Sequence, residues 1–221
     1  MENKEILKHI DHTLLKAFAT WEQIKTLCDE AVKYQTASVC VPPNYIKRIR
    51  EAYPDLNICT VVGFPLGYSV TEAKVAEVKK ALEDGVNELD MVVNISDVKN
   101  GNYVAVEKEI ATLKKAVGDK ILKVIIETCY LNEEEKIAMC KAVTNAKADY
   151  IKTSTGFGTG GATIEDIELF KKHIGPNVKM KAAGGVKTVA DLEMFINAGC
   201  DRIGTSGAVN ILKGRDSNGE Y

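Results

Sequence analysis

Two lysines occupy similar settings in the last third of the sequence. Lys152 lies in Tyr150-Ile151-Lys152-Thr153-Ser154-Thr155-Gly156, and Lys181 in Met180-Lys181-Ala182-Ala183-Gly184-Gly185-Val186. Each stands near the end of a run with strand character, just before small, hydroxyl or glycine residues. A single strand-end lysine reads as a solvated cation. Two on neighbouring strands suggest more, because an ordinary lysine amine, with a pKa of about 10.4, is protonated and non-nucleophilic, whereas a nearby cation or desolvation lowers that value and frees the lone pair. A free amine facing a carbonyl compound forms a Schiff base. Asp90, in Glu88-Leu89-Asp90-Met91-Val92, fits either of two roles: shuttling the protons that imine formation and enamine protonation require, or holding the lysines as an ion-pair partner.

The glycines suggest an anionic substrate. Gly184-Gly185-Val186-Lys187-Thr188 opens a predicted helix, Gly204-Thr205-Ser206-Gly207 follows the last predicted strand, and Gly156 follows Lys152. Bare backbone amides and helix N-termini cradle anions, although any one glycine pair also reads as a tight turn. Gly158, Gly160 and Gly161 read as loop flexibility.

These residues need a scaffold that gathers strand ends. Predicted strands fall at 38–41, 58–62, 89–93, 122–127, 150–153, 178–181 and 202–204, with a weaker one at 9–13, and amphipathic stretches such as 71–83 and 132–146 lie between them. Asn132 is placed to cap its helix, with acidic residues in the first turn. Alternating strands and helices imply parallel pairing. Eight units in 221 residues, about 28 each, predict a single-domain α/β chain folded as a (β/α)8 TIM barrel, compact but within the tolerated range, with an open doubly wound sheet as the alternative. No linker or low-complexity tract divides residues 1–221.

A faint repeat sets the register. Gly85 to Asp90, Lys147 to Lys152 and Gly199 to Gly204 each place a small residue before polar residues and a strand, so Asp90, Lys152 and Gly204 become equivalent, and Cys40 joins them through Tyr34 to Cys40. In a barrel that rim carries the chemistry, and phosphate sites use the loops after the last two strands. Within strands, Leu122, Val124 and Ile126 oppose Lys123, Ile125 and Glu127, while Leu89, Met91 and Val93 oppose Glu88, Asp90 and Val92. Helices cover the outside of a closed barrel, so the charged set must point inward, where ions are costly unless paired or used. Lys123, Glu127, Glu88 and Lys179 are therefore either structural ion pairs or part of a site.

Composition narrows the function classes. With 29 basic and 31 acidic residues, a net charge of −2 and 45% hydrophobic residues, the chain lacks the basic footprint of nucleic-acid binders. It also lacks a long apolar run for a membrane span, and its charged N-terminus leads into no signal-type stretch. A cytoplasmic protein is expected. Six dispersed cysteines and only three histidines show neither a zinc cage nor a disulfide framework.

Lys152-Thr153-Ser154-Thr155-Gly156-Phe157, Lys181-Ala182-Ala183-Gly184-Gly185-Val186, Glu88-Leu89-Asp90-Met91-Val92, Ile10-Asp11-His12-Thr13-Leu14-Leu15 and Arg202-Ile203-Gly204-Thr205-Ser206 together resemble the motifs of the deoxyribose-phosphate aldolases, metal-independent class I barrel enzymes. The resemblance runs through essentially the whole chain in order. It implies that Lys152 forms the Schiff base, that Asp90 and Lys181 handle protons, and that Gly156, Gly184, Gly185, Gly204 and Ser206 contact phosphate. Asp11 and Cys40 are further implied substrate contacts, and Cys40 resembles a reactive site cysteine of some members. No metal and no cofactor is implied. The implied partners are small phosphorylated sugars and aldehydes, with no nucleic acid or membrane, and the chain is expected as a monomer or homodimer. Phe157 and Gly207 stand where some relatives have lysine and serine, which weakens the expectation for phosphate affinity. Residues 214–221 are expected to form a mobile tail, from which Tyr221 could approach the site.

The activity so implied is reversible cleavage of 2-deoxy-D-ribose 5-phosphate to D-glyceraldehyde 3-phosphate and acetaldehyde. A phosphosugar isomerase or epimerase with the same phosphate loops would need only acid–base chemistry, and a catalytically silent barrel could bind a phosphorylated metabolite for regulation.

Overall fold

The computed structural model describes residues 1–214; the tail beyond Gly214, with Tyr221, lies outside the described residues. Eight short strands form it: β1 (Ile10–Thr13), β2 (Ser38–Val41), β3 (Ile58–Val62), β4 (Glu88–Val92), β5 (Ile121–Ile125), β6 (Tyr150–Lys152), β7 (Lys179–Ala183) and β8 (Arg202–Thr205). Each pairs in parallel with its sequence neighbours, and β8 pairs with β1, Asp11 opposite Gly204, so the sheet closes into a barrel. That closing pair excludes the open sheet.

The connecting segments are helical for local reasons. Thr20 caps Trp21–Tyr34 in a reciprocal box with Gln23, and Asn132 caps Glu133–Asn145 with Glu135 in the same way. Each such box satisfies backbone N–H groups that the first helical turn leaves open. The helix Thr71–Glu83 spans the predicted stretch.

Alternation along the strands separates two interiors. Val39, Leu89, Met91, Leu122, Val124, Ile151 and Ile203 face outward and join one continuous apolar core with helix residues such as Ile24, Val78, Ile110, Met139, Phe170 and Leu192. Full burial of such a side chain contributes about 1.5–3 kcal/mol, so stability resides in this outer shell. The opposite parity, Asp11, Glu88, Asp90, Lys123, Lys152, Lys181 and Arg202, points into the barrel, where these ions meet one another.

Two expectations at strand ends change. Strand β5 stops at Ile125, because the chain turns left-handed at Glu127, whose φ is 52°. Glu127 therefore leaves the barrel wall and meets the loop after β6. Lys179 shares the inward parity of Lys181, but it begins β7 at the amino-terminal mouth and is exposed, its ammonium 5.8 Å from the centre of the Tyr150 ring. It belongs to neither a buried ion pair nor the rim.

Candidate active site

The centre of the barrel is a carboxylate surrounded by ammonium groups. Asp90 Oδ2 accepts from Lys152 Nζ at 2.8 Å and from Lys181 Nζ at 2.7 Å, while Oδ1 accepts from Lys123 Nζ at 2.9 Å and from Cys59 Sγ at 3.1 Å. Strand register brings these residues together: Asp90 pairs with Lys123, Ile125 with Lys152, and Lys152 with Lys181. The two lysines singled out from sequence thus share one carboxylate oxygen between them. Only Lys152 of the three lysines keeps any exposure, 4% of its side chain against none for Lys123 and Lys181. It is the amine an incoming molecule can reach.

A second tier anchors the first. Asp11 ion-pairs with Lys181 through Oδ2, and its Oδ1 accepts from Arg202 at 2.6 Å and from the Ser38 hydroxyl at 2.8 Å. Glu88 pairs with Lys123 at 2.6 Å and with Arg202 at 2.9 Å. Burial alone would raise the Asp90 carboxyl, but Lys123, Lys152 and Lys181 overturn that and hold it well below the usual carboxylate range. Asp11 is lowered likewise, against burial, by Lys181, Lys123 and Arg202. Burial disfavours the Lys181 and Lys123 ammoniums, yet the facing carboxylates hold both above the ordinary lysine range. Lys181 is therefore a fixed cation beside Lys152.

Cys40 lies on β2 at the edge of this cluster. Its thiol is lowered, chiefly by the hydrogen bond with Cys59, whereas burial pushes the Cys59 thiol up. Cys40, Cys59 and Val61 form a small apolar group inside the barrel, separate from the outer core, with Leu15 and Phe64 packed against it. Phe64 meets Phe157 edge-to-face at 5.3 Å, giving the rim an apolar side.

The glycine segments sit at the same carboxyl-terminal rim. Gly156, Gly184 and Gly185 take φ values of 87°, 80° and 77°, the left-handed conformation that turns backbone amides into a concave surface. At the start of the helix Val189–Ala198, Asp191 accepts from Lys187 N and Thr188 N, each at 2.9 Å, so the two amides leading into that helix are already held by a side-chain carboxylate. Gly204 lies within β8, where a Cβ would stand 3.2 Å from Lys181 Cε, and so makes room for that side chain. Ser206, half-buried, opens the following loop. Gly161 is held by packing, because a Cβ there would lie 2.4 Å from the Gly184 carbonyl group, and one at Gly158 would lie 2.9 Å from Cys129 Sγ.

Sequence reasoning left several members without a part. Ser38, Cys59 and Arg202 share the inward parity that identified Asp90, and that signal could have found them. Glu127 is buried and accepts from Thr155 N at 3.1 Å and from the Thr155 hydroxyl, bracing the loop after Lys152. Ser154 keeps a buried hydroxyl without a partner close to Gly184, and no local pattern marks it.

A closed parallel barrel with a reachable lysine and a buried carboxylate at its carboxyl-terminal end defines a lysine-dependent barrel enzyme in which backbone turns can hold an anion. The family described as DeoC/LacD family aldolase matches residues 6–217, and the chain belongs to that family. A deoxyribose-phosphate aldolase of Clostridium botulinum (strain Alaska E43 / Type E3) is 72% identical over 99% of this chain and 100% of its own length. One from Clostridioides difficile is 61% identical over 97% of this chain and 98% of its own length. Among solved structures, the tetrameric deoxyribose phosphate aldolase of Aeropyrum pernix superposes with a TM-score of 0.87 at 30% identity, covering 96% of this chain and 91% of that one. Among the described residues no helix is long and apolar enough to cross a membrane.

Proposed function

We infer that this chain reversibly cleaves 2-deoxy-D-ribose 5-phosphate to D-glyceraldehyde 3-phosphate and acetaldehyde through an imine on Lys152. One observation carries the residue assignment: a single oxygen of Asp90 joins the reachable amine of Lys152 to the fixed cation of Lys181, at 2.8 and 2.7 Å. Membership of an aldolase family, with deoxyribose-phosphate aldolases matched along the whole chain, supports the reaction.

In the cleavage direction Lys152 Nζ attacks the aldehyde carbon of the open-chain sugar as the free amine, and the proton that the nitrogen sheds on forming the carbinolamine passes by way of Asp90 to the departing hydroxyl. Loss of water leaves an iminium. A base removes the proton of the C3 hydroxyl, the C2–C3 bond breaks, and its electron pair moves into the iminium to form an enamine. D-glyceraldehyde 3-phosphate departs, the enamine carbon takes a proton, and hydrolysis releases acetaldehyde and the lysine. The iminium is the electron sink. Asp90 relays protons, and Lys181 keeps Asp90 anionic between steps. The phosphate rests on the amides of Gly156, Gly184 and Gly185 and on Ser206, with Ser154 donating its free hydroxyl to a sugar oxygen.

All side chains of the bridge come from one chain, so residues 1–221 act as one catalytic unit as a monomer or in a homodimer. Free cysteines are stable in a reducing compartment, and those of the described residues are unpaired, which supports a cytoplasmic enzyme. Incubation with the deoxy-sugar phosphate in EDTA should release acetaldehyde, and borohydride with acetaldehyde should add a two-carbon group to the peptide containing Lys152. Undiminished turnover in Lys152→Ala, or labelling elsewhere, would overturn the assignment. Turnover of a phosphosugar without a trappable imine would favour the isomerase reading.

A further inference from the structure

Two thiols beside the Asp90 carboxylate take no step in the proposed reaction. Cys40 and Cys59 are direct partners across the β2–β3 ladder, so both thiols project from the same face of the sheet. Both are fully buried, and their sulfurs and a carboxylate oxygen of Asp90 all lie within 4.8 Å of one another. Cys59 Sγ stands 3.1 Å from Asp90 Oδ1, and the Lys123 ammonium stands 3.3 Å from the same sulfur.

We propose that Cys40, Cys59 and Asp90 form an inhibitory site for a soft divalent cation of the zinc and cadmium class. Two thiolates and a carboxylate form a donor set suited to such ions. Zinc–sulfur bonds of about 2.3 Å in a tetrahedron set the sulfurs about 3.8 Å apart, so the present spacing needs at most a shift of about 1 Å. A fourth position is left for water.

Charge balance makes the step feasible among so many ammonium groups. Each thiol gives up one proton to solvent as its sulfur binds, so a dication replaces two protons and the net charge of the cluster does not change. Coordination takes the Asp90 oxygen that otherwise accepts from Lys123 and Cys59, and it draws the carboxylate away from Lys152. Binding rests on this geometry alone. Inhibition rests on the proposed relay role of Asp90.

The test titrates reduced, EDTA-stripped enzyme with cadmium chloride and follows both the ultraviolet thiolate-to-cadmium charge-transfer band and acetaldehyde release. The expected result is a band that saturates at one cadmium per chain, activity falling in step with it, and reversal of both by EDTA. Zinc should inhibit in the same way. Cys59→Ala should need more than about tenfold higher cadmium for the charge-transfer band; Cys59→Ser, which keeps a polar atom beside Asp90 and Lys123, should weaken the band in the same way without loss of folding. A band that is absent, or unchanged in both variants, overturns the site. A saturating band with full activity overturns Asp90 as a ligand. Failure of the metal-free enzyme to release acetaldehyde counts instead against the proposed reaction, on which the band does not depend.

Discussion

At the scale of single residues, Asp90 is the group with most at stake. It separates three buried ammoniums, and removing its charge leaves them facing one another at the bottom of the site. Breaking a buried ion pair by deleting one partner costs about 3–5 kcal/mol, and losing a proton relay costs about 10²–10⁴ in rate. Asp90→Asn should therefore lower both the urea midpoint and kcat, whereas Lys181→Met should lower kcat while leaving Lys152 trappable by borohydride; mass spectrometry of the reduced adduct separates the two. Glu127 allows a different measurement. Burial raises its carboxyl above 4.5, so the folded state holds this proton more tightly than the unfolded chain does. A group of this kind contributes stability that is complete below the unfolded pKa and is lost as pH rises through the folded one. Glu127→Gln removes that titration, so the variant should gain on the wild type in urea unfolding when pH is raised from about 4.5 to 7. A constant difference across the range would refute the assignment of a raised carboxyl.

At the scale of elements, loops meet at the rim through close backbone approach. Gly161 and Gly184 touch so closely that a methyl group at Gly161 would sit 2.4 Å from the Gly184 carbonyl group, and Gly184 already has a φ of 80°. Gly161→Ala must push the loop after β6 away from the turn after β7. Since Lys152 lies below both loops on a strand, the variant should show a raised KM for the phosphosugar, by about tenfold or more if about 1.4 kcal/mol of phosphate contact is lost, with Lys152 still trapped by acetaldehyde and borohydride. Sequence showed which side chains of β4 and β5 face inward, because alternation over consecutive residues is a local signal. It could not show where β5 ends. The run Val124, Ile125, Ile126 carries the β-branched pattern past the end of the strand at Ile125 and up to Glu127, which turns left-handed, and that turn answers to Thr155, 28 residues away. For the same reason Gly161 looked like slack in a loop: its neighbour, Gly184, is remote in sequence.

At the scale of the whole molecule, the barrel keeps its apolar core outside the sheet and its charges inside it. The inward parity of Glu88, Asp90 and Lys123 was legible from the strands, but the β8–β1 pairing and the matching of each ammonium to a carboxylate depend on closure, which no local pattern encodes. This arrangement makes stability depend on acid in a defined direction. Asp11 and Asp90 are both depressed in the folded state, mainly because the cations of Lys181 and Lys123 outweigh burial. Depressed carboxyls contribute stability above their unfolded pKa, about 3.9, and that contribution is lost as pH falls below it, because unfolding then takes up protons that the native state refuses. Each carboxyl should steepen the loss by about 1.4 kcal/mol per pH unit. Urea unfolding between pH 6 and pH 3 should show a falling midpoint below about 4, separate from the opposite change that Glu127 causes above about 4.5. Asp11→Asn should be less stable at neutral pH but should lose stability with a shallower slope in acid, since one of the two proton-linked groups is gone. An equal slope in variant and wild type would mean that the Asp11 carboxylate already carries a proton in the folded barrel, and the ion pairs assigned to Lys181 and Arg202 could not hold as drawn.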